Sequence, residues 1–411
     1  MFHILYGIVI RTYYFFILLA STFSAKARLW IRGRRETERR LKENWAIQKK
    51  VAWFHCASLG EFEQGRPVIE AFKDKRPDAY ILITFFSPSG YEVRKNYEGA
   101  DSILYLPLDT KRKTKNFISA IQPQWVIFVK YEFWYNLLSE LYRRTIPTYL
   151  ISANFRTSNW FFKWYGQPFL KIIGGFHHIF VQNNHSANLL SEHGIHNVTV
   201  SGDTRFDRVQ QISRSQKKIP EVALFKGDHY LVVAGSTWKE DEELLIKYIN
   251  TDTKELKWII APHEIPETHI RQITSELKVP YTRFSQFKRK YEPDSRVLII
   301  DNIGLLSSLY GYGNMAYVGG GFSKGIHNIL EPATFGLPVI FGPRFQKFQE
   351  AVDLIKEGGA FPINSYEELM NILDSFFHNP ESIYECGKHS ERYVKNNLGA
   401  TKIIVDNLLI V

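Results

Sequence analysis

From Val51 onward, short runs rich in β-branched and aromatic residues recur between stretches whose apolar positions have helical spacing. Val51–His55, Tyr80–Phe85, Trp125–Val129, Thr148–Ser152 and His178–Val181 read as strands. Strands alternating with helices predict a parallel sheet. A polar stretch from Gln211 to Lys218, followed by Ile219 and Pro220, has the composition of a linker. The alternation then restarts with strands at Tyr230–Ala234, Trp258–Ala261, Val297–Ile300, Met315–Val318 and Val339–Phe341. Tyr366–Phe377 and Glu381–Asn396 read as helices. The expectation is two doubly wound α/β units, with ligands at the carboxyl ends of the strands, facing each other across a cleft.

Ahead of this pattern, Ile4 to Ala25 is almost wholly apolar and aromatic, interrupted by Arg11, and is long enough to cross a bilayer. Lys26, Arg28, Arg32, Arg34, Arg35, Arg39 and Arg40 follow at once, which by the positive-inside rule keeps the rest of the chain cytoplasmic. A cleaved signal peptide carries its charge on the other side of the apolar run. Arg11 is costly inside a span, so an interfacial helix competes with a single crossing. A buried core helix leaves the arginines unexplained. The expected division is 1–25 as membrane anchor, 26–215 and 216–390 as the two Rossmann-like domains, and 391–411 as a C-terminal helix packing back on the first.

Length and charge sharpen this. A chain of 411 residues exceeds one ordinary core. With 23% charged and 45% apolar residues it is a folded protein and not a disordered one. A net charge of +10 attracts anions, whether headgroups, phosphorylated substrates or nucleic acid. Cys56 and Cys386 are the two cysteines, without the spacing of a disulfide framework or a zinc site.

Chemistry is sought where strands end. Val51–His55 runs into Cys56-Ala57-Ser58-Leu59-Gly60-Glu61 and a helix start, placing Glu61 in the first helical turn above the sheet. There it is placed to remove a proton from an attacking hydroxyl, the helix dipole keeping it ionised but weakening it as a base; complementing the dipole is the alternative role. Glu132, after strand Trp125–Val129, is a second acid, with a helix-start charge or a salt bridge to Lys130 as alternatives. Arg205 in Ser201-Gly202-Asp203-Thr204-Arg205-Phe206-Asp207 suits a phosphate or carboxylate, or else a surface ion pair with Asp203 or Asp207. In the second half, Gly319-Gly320-Gly321 closes a strand, and Asn328 or Glu331 caps a helix containing Pro332, a phosphate-binding arrangement with Glu331 near ribose hydroxyls. His263 and His327 read more readily as structural histidines, and His263-Glu264 with His269 lacks zinc spacing, so no metal is expected.

Taken together, HCASLGEFEQGRP (55–67), Glu132-Phe133-Trp134-Tyr135-Asn136, GDTRFD (202–207), HNILEP (327–332) and FGP (341–343), in this order behind an apolar N-terminus with its basic block, resemble the Kdo (3-deoxy-D-manno-octulosonic acid) transferase family. The resemblance covers nearly the whole chain. It implies a GT-B fold, two Rossmann-like domains with an N-terminal membrane-anchor helix, the first binding acceptor and the second CMP-Kdo. It further implies an inverting, metal-independent glycosyltransferase without cofactor, moving Kdo from CMP-Kdo to the lipid A precursor (lipid IVA) in lipopolysaccharide synthesis. The place of action is the cytoplasmic side of the inner membrane, among anionic lipids and without nucleic acid. Carried across, Glu61 is the general base, and Glu132 and Arg205 stabilise the transition state. Pro262, His263, Ile303, Gly304, Leu305, Asn328, Ile329, Leu330 and Glu331 surround CMP.

Three departures stand out. Arg205 replaces the usual lysine, keeping the charge as a planar fork. His263 replaces an arginine, a weaker phosphate partner. The loop Ser323–Ile326 is shorter and less glycine-rich than usual. Two other readings remain: a GT-B envelope enzyme using a UDP-sugar, and a non-enzymatic membrane module that binds anionic lipid or nucleic acid.

Overall fold

The computed structural model describes residues 2–43, 49–254 and 256–409. Residues 44–48 and 255, and the outermost residues of the expected segments 1–25 and 391–411, lie outside the described residues.

The first sheet contains β1 (Val51–Cys56), β2 (Tyr80–Phe85), β3 (Ser102–Tyr105), β4 (Pro123–Val129), β5 (Thr148–Ala153), β6 (His178–Val181) and β7 (Val198–Val200) in the order β3-β2-β1-β4-β5-β6-β7. The second contains β8 (Leu231–Thr237), β9 (Lys257–Pro262), β10 (Tyr281–Arg283), β11 (Val297–Ile299), β12 (Met315–Val318), β13 (Val339–Phe341) and β14 (Ala360–Pro362) in the order β10-β11-β9-β8-β12-β13-β14. Every pairing is parallel. Parallel sheets are covered on both faces, which is why the inner strands read as unbroken apolar runs. Along β1, Val51 and Trp53 enter the core on one face, and Ala52, Phe54 and Cys56 the core on the other. In each sheet the winding reverses direction once, between β1 and β4 and between β8 and β12. At such a reversal the connections diverge and leave a crevice at the strands' carboxyl ends.

The chain forms two compact units, Met1–Arg208 with Leu398–Val411, and Val209–Asn397. Their division falls within a helix, Thr204–Arg214, ahead of the expected boundary at 215. The stretch expected to be linker from Gln211 is thus helical through Arg214; Phe206 and Val209 bury the apolar side of this helix, and its polar residues are the outer side. The C-terminal helix Ala400–Leu408 belongs to the first unit, where Ile404, Val405 and Leu408 join the core beneath α3 (Leu59–Lys75). Asp207 accepts the Gly399 and Thr401 amides at 2.8 and 2.6 Å and fixes its start.

At the N-terminus the apolar run is a helix only to Ala20. The hydroxyls of Ser21 and Thr22 donate to the carbonyls of Leu18 and Leu19, closing α1 (Phe2–Ala20), and Ser24 opens the basic α2 (Ala25–Glu43) by accepting the Ala27 amide. One side of α1 packs Tyr6, Ile10, Tyr14, Ile17 and Leu18 with Trp30, Ile31 and Leu108 of its own unit. The Tyr6 hydroxyl donates to the buried Asp109 carboxylate at 2.6 Å, which also accepts the amides of Asn136 and Leu137. The opposite side, Ile4, Leu5, Ile8, Val9, Phe15, Phe16 and Leu19, is exposed. By length and composition α1 is able to cross a membrane.

Candidate functional site

Glu61 and Glu132 follow β1 and β4, the two strands that flank the reversal of the first sheet. Ser58 is the N-cap of α3, its hydroxyl accepting the Glu61 amide at 3.4 Å, while the Glu61 carboxylate turns back to accept the Ala57 amide at 2.5 Å. These two bonds fix the carboxylate over the end of β1. Burial and then the Glu132 charge raise the Glu61 carboxyl from its ordinary 4.5 to about 7, and the Ala57 bond and the Lys130 charge offset part of the rise. The helix dipole predicts a weakened base; desolvation and a second carboxylate outweigh it, leaving a carboxylate basic enough to take a proton near neutral pH.

Glu132 is held by two groups that the sequence did not single out. The Trp134 indole N–H donates to its Oε2 at 2.7 Å, and His55 Nε2 lies 3.4 Å from the same oxygen. His55 is fully buried at the end of β1, with its Nδ1 2.8 Å from Thr84 Oγ1, which also accepts the Trp53 indole N–H. The spacing in sequence gives no hint of this: His55 and Glu132 meet because β1 and β4 are neighbours. Arg205 sits at the start of helix Thr204–Arg214, its Nε and guanidinium engaged by Asp203 at 2.8 and 2.7 Å, the ion pair that the sequence offered as the alternative. Thr204 beside it donates to the Gln64 carbonyl of α3 at 2.7 Å, tying this loop to the Glu61 helix.

In the second unit, the residues expected around a nucleotide stand on loops after β9, β11 and β12. Pro262 ends β9, and His263 after it is exposed. Ile303 is exposed at the tip of its loop, Gly304 has φ +92°, a left-handed backbone that favours glycine, and Leu305 packs into the core. Ile329 and Leu330 are fully buried, side chain and main chain alike. Asn328 Oδ1 accepts the Leu330 amide at 3.1 Å at the start of a five-residue helix, Leu330–Thr334. Glu331 accepts from Ser307 Oγ at 2.9 Å and from Asn328 Nδ2 at 3.2 Å, joining the helix that follows the second of these loops to the third.

The sequence reading passed over Trp238, which follows β8. Its indole N–H donates to His327 Nε2 at 2.9 Å, the two ring planes are nearly parallel at 9°, and His263 stacks on both at 4.7 and 4.4 Å. The buried Asp241 accepts the amides of Trp238 and Gly320 at 2.9 and 2.8 Å and the Tyr317 hydroxyl at 2.8 Å, so one carboxylate ties the loop after β8 to the loop after β12.

Residues 32–208 match the family described as 3-Deoxy-D-manno-octulosonic-acid transferase (kdotransferase). A 3-deoxy-D-manno-octulosonic acid transferase of Rickettsia bellii is 27% identical over 98% of this chain and 99% of its own length. One of Aquifex aeolicus is 30% identical over 81% of this chain and 87% of its own. Among solved structures, UDP-GlcNAc 2-epimerase of Neisseria meningitidis shares the fold at a TM-score of 0.63 and 17% identity, covering 89% of this chain and 100% of the epimerase chain. MurG of Acinetobacter baumannii does so at 0.54 and 10%, covering 88% and 100%. These two speak for a GT-B-like pair of parallel sheets, and the sequence relatives speak for the chemistry. Matched from end to end by one Kdo transferase and over most of its length by another, with acids at a sheet reversal, the chain belongs to the 3-deoxy-D-manno-octulosonic acid transferase family and is a glycosyltransferase.

Proposed function

We propose that this enzyme transfers Kdo from CMP-Kdo to the lipid A precursor with inversion and without a metal. The observation that carries the reading is Glu61, held by the Ala57 amide over the end of β1, with Glu132 after the neighbouring β4. Glu61 takes the proton of the acceptor's primary hydroxyl as that oxygen attacks the anomeric carbon. CMP leaves with the bonding pair, so one base and a good leaving group suffice. Glu132, fixed by His55 and Trp134, and Arg205, oriented by Asp203, stabilise the charge that develops during transfer. CMP is bound in the second unit by Pro262, His263, Ile303, Gly304, Leu305, Asn328 and Glu331, with Ile329 and Leu330 buried between the last two. The acceptor is an anionic lipid. We place the enzyme on the cytoplasmic side of the inner membrane, held by the exposed apolar side of α1 and by Lys26, Arg28, Arg32 and Arg35 of α2, which are exposed for anionic headgroups.

The test is incubation with CMP-Kdo and tetraacylated lipid A precursor, with and without EDTA, with products followed by mass spectrometry beside Glu61→Gln. Transfer that survives chelation and is crippled in a folded Glu61→Gln supports the reading. Binding of a UDP-sugar in place of CMP-Kdo sinks the donor assignment, and loss of transfer in EDTA that returns with a divalent cation sinks metal independence.

A further inference from the structure

The Trp238–His327 pair lies at the reversal of the second sheet, Trp238 after β8 and His327 in the loop after β12, where a doubly wound sheet leaves its ligand crevice. An indole nitrogen only donates, so at 2.9 Å His327 Nε2 must be the acceptor, and the proton of the neutral ring then sits on Nδ1. Among the described residues no protein group is hydrogen-bonded to that Nδ1. Gly320, at φ +92°, makes room for the ring: a Cβ there would lie 3.1 Å from His327 Cδ2 and 2.5 Å from the Gly325 carbonyl oxygen. The Lys324 ammonium stands 5.5 Å over the Trp238 ring, which makes the surroundings attractive to an anion. Asp241 fixes the main chain on both sides of the pair. A buried carboxylate, a glycine and a hydrogen-bonded tryptophan therefore all constrain one imidazole whose remaining N–H has no hydrogen-bond partner among the described residues.

We infer that Trp238 is a positioning residue for the nucleotide: its indole N–H holds His327 in the Nδ1–H form, and that N–H donates to the phosphate of the bound CMP moiety. The inference rests on the CMP-Kdo reading and deepens it. A fixed neutral donor supplies, from the loop after β12, a phosphate contact beside the exposed His263. Burial, and then the neighbouring His263, push the His327 imidazole down to about 4, so the ring is neutral at working pH and the tautomer is decided by the indole bond.

The experiment compares the full-length protein with Trp238→Phe, which keeps a ring beneath His263 and removes the N–H. Binding of CMP and of cytidine, which lacks the phosphate, is measured by calorimetry. His327 is followed by nitrogen-15 NMR, its signals assigned by their absence in His327→Gln. In the wild type the signals of an Nδ1–H tautomer are expected, moving on CMP addition and not on cytidine addition. Trp238→Phe is expected to weaken CMP about fivefold, the worth of one hydrogen bond, to leave cytidine unchanged and to show mixed tautomers. For the transfer reaction the KM for the donor rises while kcat holds. An Nε2–H tautomer in the wild type, equal losses for CMP and cytidine, or a rise in donor KM with CMP affinity unmoved would overturn the inference and leave the donor reading standing. A wild type that binds no CMP overturns both. If Trp238→Phe fails to fold, the wild-type spectra with and without CMP decide the matter.

Discussion

Glu61 shows how a residue that caps a helix becomes a candidate base. Its carboxylate does both: it closes the start of α3 through the Ala57 amide, and it is half-buried, so that desolvation and then the Glu132 charge lift its pKa to about 7. Activity is expected to rise with pH through about 7 as Glu61 ionises, and Glu61→Gln to lower kcat by roughly 10²–10⁴ while the protein stays folded. Removing the neighbouring charge with Glu132→Gln should move that limb of the pH–rate profile to lower pH; a limb that stays in place assigns it to another group. Stability gives an independent check of the same shift. Because the carboxyl titrates higher folded than unfolded, its contribution is full below 4.5 and is lost as pH rises through about 7. Glu61→Gln, which mimics the protonated form and can still accept the Ala57 amide, should therefore melt above the wild type at pH 8 and close to it at pH 4. Both acids were legible from sequence because each follows a strand. His55, Asp241 and Trp238 were not, since their roles come from partners 77, 79 and 89 positions away.

Among elements, legibility divides by position in the sheet. The strands that the apolar pattern predicts, five in each half, are the inner strands of the two sheets; β3, β7, β10 and β14, which it does not predict, are the four edges. The inner strands β11, β12 and β13 are no longer than the edges but wholly apolar, whereas each edge strand pairs on one side only and carries a polar residue or a proline, Ser102, Thr199, Thr282 and Pro362. The glycines of the turn after β12 have a packing role of their own. A Cβ on Gly321 would come within 2.6 Å of the Gly342 main chain, and one on Gly319 within 2.4 Å of the Ser236 carbonyl oxygen. These glycines let the end of β8 and the loops after β12 and β13 pack main chain to main chain. Gly321→Ala should cost about 1–3 kcal/mol in thermal unfolding and weaken CMP binding with it; unchanged melting and affinity would show that the loops yield. At α1, Tyr6→Phe removes the donor to Asp109, and the expected loss is about 1 kcal/mol, with earlier proteolytic cleavage in the turn Ser21–Ser24.

For the whole molecule, the attachment of α1 to its own unit bears on how the protein meets a membrane. A helix that crosses a bilayer offers lipid all of its sides, whereas α1 has one side packed on Trp30, Ile31 and Leu108 and bonded to Asp109. The exposed apolar positions lie on its other side, and Trp164 and Tyr165, which are also exposed, stand a few residues before Phe169, whose ring meets Phe2 at 5.6 Å. This arrangement favours a helix lying in the headgroup plane. With protein added to preformed anionic vesicles and Cys386 replaced by serine, cysteines placed at His3 and at Ser24 should both react with a membrane-impermeant maleimide. Protection of one end alone would favour a crossing.

The return of the chain to its first unit has a consequence for how the protein is made. Ile404, Val405 and Leu408 complete a core whose other members all precede residue 181, and Asp207 waits for two amides at 399 and 401. Between them lies the whole of Val209–Asn397, which a ribosome adds over roughly 10–40 s at ordinary elongation rates. For that interval the nascent first unit presents an open apolar seam next to a lipid-seeking N-terminus, so its earliest client is expected to be a chaperone or the membrane itself, and truncating the last dozen residues should leave the amino-terminal half aggregation-prone.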